Sequence, residues 1–108
     1  MRLRRHGRFH DLVERQLDLF REDAAALLAE AIEAESAWNS ASAESAEDAY
    51  GDYQLVVDAI ADRLLDIRER YARSLDDDAA TAYANEFTRQ ATREFRRYAT
   101  LLADLDGE

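Results

Sequence analysis

Cysteine is absent from the 108-residue chain, which excludes disulfides, zinc–thiolate sites and thiol catalysis. Proline is absent too, and glycine occurs only at Gly7, Gly51 and Gly107. With so few breakers and so much Ala, Leu, Glu and Arg, the whole chain favours helix. Strands would need more Val, Ile and Thr and recurrent turn residues. Lysine is also missing, so every basic side chain is an arginine. Long apolar runs are lacking: the longest, AAALLA at residues 24–29, is far too short to cross a membrane. The opening MRLRRHGR resembles the charged part of a signal peptide, but the FHDLVERQ that follows is amphipathic. A cytoplasmic location is therefore expected.

Hydrophobic residues make up 47% of the chain, but 21 of them are alanine. A chain of this size forms one small domain and buries only about two-thirds of its unfolded surface. Its core is marginal unless a second copy or a partner covers one face. The net charge of −10 argues against binding to nucleic acid or anionic membranes, whose surfaces are also negative.

The cleanest periodicity lies at residues 49–72. Tyr50, Tyr53, Val57, Ile60, Leu64, Ile67 and Tyr71 recur at intervals of three and four, which places them on one stripe of a helix. Upstream, Val13, Leu17, Phe20, Ala24, Leu27, Ala31, Ala34 and Trp38 form a coiled-coil-like heptad seam, with Leu19 near its edge. Downstream, Tyr83, Phe87, Ala91, Phe95, Tyr98, Leu102 and Leu105 form a third stripe that drifts around its helix. NSASAES at residues 39–45 reads as a turn with Ser40 or Ser42 as the following cap, and Asp76–Asp78 as a turn in which one aspartate caps the next helix.

These elements predict an all-α fold, an antiparallel up-down-up three-helix bundle with helices at about 9–38, 43–74 and 78–105. Residues 1–8 read as a flexible basic tail and residues 9–106 as a single helical domain. Charge supports the topology. Between Glu22 and Asp62 there are eleven acids and no arginine, and an antiparallel third helix returns Arg89, Arg93, Arg96 and Arg97 to that end. Asp52, Asp58 and Asp62 are the expected partners, and at the other end the basic tail approaches Asp76–Asp78. Exposed pairs are worth only ~0–1 kcal/mol each, so they select topology more than they stabilise it.

Few residues carry chemistry. His6, His10 and Glu14 are spaced i, i+4, i+8 and would stack on one helical face as metal ligands, although a loosely ordered tail and ordinary helix surface explain them more simply. No acid has a histidine three residues later, so a di-iron carboxylate bundle is not indicated. Catalytic triads and glycine-rich phosphate loops are absent, and no histidine lies beyond residue 10. Neither an enzyme nor a cofactor is expected. Gly51 inside a helix costs ~1 kcal/mol relative to alanine, and a close helix contact or mild distortion is its expected reason. Trp38, Tyr50, Tyr53 and Tyr98 should cluster at the acidic end, with Gly51 among them, as the best candidate patch for a partner.

With FHDLVERQLDLF, YGDYQLVVD and the Arg-rich third helix, the chain resembles small, uncharacterised all-helical proteins of actinobacterial type. The resemblance spans most of residues 9–100 and implies a stand-alone helical domain, with no activity or ligand to carry over. The function expected is a non-enzymatic interaction or structural module, self-associating as a homodimer. The alternatives are a carboxylate-rich metal-binding bundle and an acidic regulatory adaptor that docks on a basic partner.

Overall fold

The structure, a computed structural model, describes residues 7–100 and Leu102. The described residues are all-helical in character, with four helices among them in chain order: α1 (His10–Asp23), α2 (Ala25–Asn39), α3 (Ala46–Ala72) and α4 (Asp77–Glu94). No strand occurs among the described residues. No helix among them is long and apolar enough to cross a membrane.

Four helices replace the three expected, because the heptad seam at 9–38 does not form one rod. It is interrupted at Ala24, whose φ of −101° and ψ of 17° lie outside the α-helical basin. Neither proline nor glycine marks the site, and Ala24 itself is buried. The cause lies in what each half packs against. α1 meets α4 through large rings: Phe9 against Tyr83 at 5.6 Å and Phe20 against Phe95 at 5.2 Å, both edge-on. α2 offers alanine instead, with Ala31 fully buried, and makes the most extensive helix contact in the molecule, against α3. Aromatic side chains hold one half at a distance, and alanine lets the other close up. A straight helix cannot satisfy both separations, and the seam bends where the spacing changes.

The third helix also ends early, at Glu94 rather than near residue 105. Phe95 leaves helical geometry, at φ −122° and ψ 50°, while its ring stays buried in the core. Residues 95–99 form turns, with the Tyr98 and Ala99 N–H groups both donating to the Phe95 carbonyl, and helical geometry returns at Thr100 and Leu102. α3 begins at Ala46 rather than 43. Its N-cap is Ser45, not Ser40 or Ser42, and Ser42 Oγ instead accepts from the Ser45 N–H. Asp76 caps α4 as expected, accepting from the Ala79 N–H at 2.9 Å.

The apolar stripes carry the core. Val13, Leu17, Ile60, Leu64, Tyr83, Phe87 and Ala91 are all fully sequestered. Tyr83 is the wedge between layers: its ring meets Phe9, which precedes α1, and, at 4.7 Å, Tyr71 on α3. α4 thus contacts both α1 and α3 and holds them apart. Two polar residues share the interior. Gln90 donates to the His10 carbonyl and to Glu86, and Arg68 donates to Thr88 Oγ1 at 2.6 Å and to Glu69.

Gly7 and Arg8, assigned to the tail, belong to the described fold. The Gly7 carbonyl accepts from the His10 N–H, and Arg8 stacks over Phe9. Arg8 also lies beside Asp76–Asp78, the juxtaposition expected of the basic end. The other arginines pair differently from expectation. Arg97 pairs with Glu35 on α2, Arg21 with Glu94, and Arg89 with Glu86. The break at Phe95 re-aims Arg97, and Asp52 and Asp62 lie on the far side of α3 from α4.

Candidate functional site

Three constellations stand out. The first is at the start of α1. His6 lies outside the described residues, so the His6–His10–Glu14 ladder reduces to its last two members. His10, Asp11 and Glu14 bring ligand atoms within 4.8 Å of one another. Asp11 and Glu14 point to solvent, whereas His10 is largely covered. Its Nδ1 lies 3.4 Å from Glu86, and Gln90 bridges the same carboxylate and the His10 carbonyl. Burial works against the Glu86 carboxylate, but its bonds to Gln90, Arg89 and His10 outweigh this and hold its pKa below the usual range. The imidazole thus pins α1 to α4.

The second is the aromatic patch. The short α2–α3 turn sets Trp38 against the first turns of α3. The indole stacks on Tyr53 at 5.5 Å and 24° and leans on Tyr50 at 4.7 Å. Tyr53 is buried and Tyr50 exposed. Burial, reinforced by the nearby Glu35 carboxylate and the Tyr98 phenol, raises the pKa of Tyr53. Tyr98 therefore joins the group through Tyr53, and the Arg97–Glu35 pair closes its edge. Gly51 does not have the role expected of it. Helix α3 runs through it without a break, its φ is not positive, and an added Cβ would meet nothing within 4 Å. No helix packs against that position.

The third constellation is the face of the hairpin turned away from α4. Since α4 separates α1 from α3, an open groove of about 790 Å³ remains between them. Leu19, Phe20, Leu27, Ala59 and Ile67 supply its apolar surface, and Asp23, Asp62, Asp66 and Arg63 its polar edge. A smaller hollow of about 470 Å³ lies between α2 and α3, bounded by Ala34, Ala37, Ala49, Leu55, Val56 and by Glu30, Glu33 and Asp52. The two hollows follow one another along the same face of α3. Ala49, Asp52, Val56, Ala59, Arg63 and Asp66 follow intervals of three and four along α3, and Gln16, Leu19, Asp23, Leu27, Glu30, Ala34 and Ala37 do so along α1 and α2.

Leu19 and Leu55, on this face, are 52% and 70% exposed. Six acids border the groove against one arginine. Asp66 pairs with Arg70 on its own helix, while the other five acids have no ion pair among the described residues. Leu19 was legible as an edge residue. Leu55 was not singled out; it stands two residues from both Tyr53 and Val57, on the side of α3 opposite the main stripe, and a leucine there was the available signal. No protein-family model, curated protein or solved structure matches the chain.

Proposed function

We propose that this protein is a non-enzymatic helical interaction module whose working surface is the groove between α1–α2 and α3. The observation that carries this reading is the groove itself: an apolar channel with Leu19 and Leu55 exposed on its lips. An exposed leucine at each of two neighbouring apolar hollows on one face is what supports reading that face as a contact surface. The aromatic patch at Trp38, Tyr50 and Tyr53 lies at the alanine-lined end of the same hairpin and extends the contact area.

Of the two modes of association, docking with a different protein is better supported than a homodimer. A second copy would bring a chain of net charge −10 against six rim acids. The test is retention of partners from native lysate by the wild type and by a Leu19→Asn/Leu55→Asn double variant. Both positions are exposed, so the variant keeps its fold, checked by circular dichroism. Proteins held by the wild type alone support the groove; identical retention rejects it.

A carboxylate metal site is the second reading, favoured by the convergence of His10, Asp11 and Glu14. Melting with zinc or manganese and then with chelator decides it. A melting temperature indifferent to both, with no metal retained on gel filtration, ends that reading.

A further inference from the structure

We infer that the groove is built for one basic amphipathic helix of a partner protein, which completes the α1–α3–α4 half as a four-helix bundle. The inference rests on the interaction-module reading and specifies its occupant. The first argument is geometric. α4 contacts both α1 and α3, while these two stand apart on the opposite side. Three helices with one pair splayed leave the slot that a fourth occupies in an antiparallel bundle. The slot is helix-sized. Its α3 wall runs over residues 49–67, about 27 Å at ~1.5 Å per residue, or some five turns of a docked helix.

The second argument is the shape of the floor. At the α1 end the channel is wide and lined by Leu19, Phe20, Leu27 and Ile67, so it takes leucine, methionine or phenylalanine. At the α2 end the hollow is smaller and lined by Ala34, Ala37 and Ala49, whose short side chains suit a close backbone approach. A helix with large apolar residues on one half of its stripe and small ones on the other matches both.

Charge supplies the third argument. Asp23, Glu30 and Glu33 stand on one rim, and Asp52, Asp62 and Asp66 on the other, with Arg63 the single positive group. Docked between two acidic rims, a helix gains most from arginine or lysine flanking its apolar stripe on both sides. The same rims reject acidic helices, including those of a second copy.

The test uses three synthetic peptides of about 20 residues, the length of the channel. One has a leucine-to-alanine stripe flanked by arginine, one the same stripe flanked by glutamate, and one the composition of the first in scrambled order. Titration into isotopically labelled protein should give saturable shifts at Leu19, Leu27, Ala59 and Ile67 with the arginine peptide alone. Raising salt from about 50 to about 500 mM should weaken binding on the order of tenfold. Asp62→Arg/Asp66→Arg, at two exposed positions, should weaken the arginine peptide and admit the glutamate one. Lack of saturable binding, equal binding of the scrambled peptide, or shifts elsewhere overturn the inference. Groove-mapped binding of the glutamate peptide to wild type, or a dimer by sedimentation equilibrium that Leu19→Asn abolishes, also overturns it but keeps the interaction-module reading. If neither a peptide nor a second copy engages the groove and lysate retention ignores Leu19 and Leu55, both fall.

Discussion

Alkaline titration of Tyr83 gives a direct test of how the helices are held together. The ring is completely buried, and its hydroxyl donates to Gln16 Oε1 at 2.7 Å. Burial pushes the phenol from an ordinary 10.0 up to about 12. The folded state therefore binds this proton more tightly than the unfolded chain. The resulting stability is complete below pH 10 and is lost as pH climbs through about 12, because only the unfolded chain ionises readily in that interval. At about 1.4 kcal/mol per tenfold change in proton affinity, the loss is about 2–3 kcal/mol. That is a large share of the ~5–15 kcal/mol that holds a domain folded.

The comparison protein is Tyr83→Phe, which keeps the ring and deletes the hydroxyl. Gln16 is partly exposed and can turn to water, so the neutral-pH cost is about 0.5–1.5 kcal/mol. Urea unfolding, followed by circular dichroism at a series of pH values, should show the wild type more stable at neutrality. Its alkaline limb should fall more steeply, bringing the two curves together and then past each other. Tyr53, whose pKa is also raised, is common to both proteins and cancels. Parallel limbs would show that Tyr83 is not the buried wedge described, and with it the separation of α1 from α3 would lose its cause.

Three further outcomes are expected. Gly51→Ala should stabilise the protein by about 0.5–1 kcal/mol in denaturant unfolding, since the new methyl enters open space within a continuous helix; destabilisation would contradict that geometry. Asp76→Ala removes the cap on the Ala79 N–H and should cost about 1 kcal/mol, while Asp76→Asn should recover most of it; equal losses would deny the cap. Glu86 has its pKa held below 4.5, so its stabilising effect is present above that pH and lost as pH falls through the lowered value. Glu86→Gln should flatten the acid limb of the stability profile, and an unchanged limb would refute the Gln90–Arg89–His10 account.

Burial was legible in the sequence at the centres of the stripes, while Tyr50 at the start of one is exposed and Leu27, Ala34, Trp38, Ile67 and Tyr71 are only partly covered. Val13, Leu17 and Phe20, then Tyr53, Val57, Ile60 and Leu64, then Tyr83, Phe87 and Ala91 were read as stripes, and all are buried. The aromatic patch was legible for a related reason. A short turn between antiparallel helices fixes their register, which sets Trp38 opposite Tyr50 and Tyr53. Two interruptions were not legible. Ala24 and Phe95 carry no proline or glycine signal, and both keep their places in the stripes, so a periodicity argument runs straight through them. Arg68 and Gln90 were missed because their burial depends on Thr88, Glu69, Glu86 and His10 lying close, which local sequence does not announce.

The groove belongs to the same illegible class, and it has the same origin as the break at Ala24. Stripes specify which side of a helix faces inward; they do not specify how far apart two axes stand. That distance is set by the sizes of side chains contributed by a third element. Here α4 sets the Tyr83 ring between Phe9, at the start of α1, and Tyr71 on α3, while the α2 contact with α3 is lined with alanine. The first half of the hairpin is thereby held wide and the second drawn close. The wide half exposes Leu19 beside an apolar channel, and the change of spacing falls at Ala24. Shrinking the wedge should then act on both features: Tyr83→Leu should let α1 approach α3, so that backbone chemical shifts at Ala24 move toward helical values and those at Leu19 and Ile67 change with them, whereas a change at only one of the two places would refute the shared cause. If the bend and the open channel share this cause, a chain that keeps its groove also keeps its break.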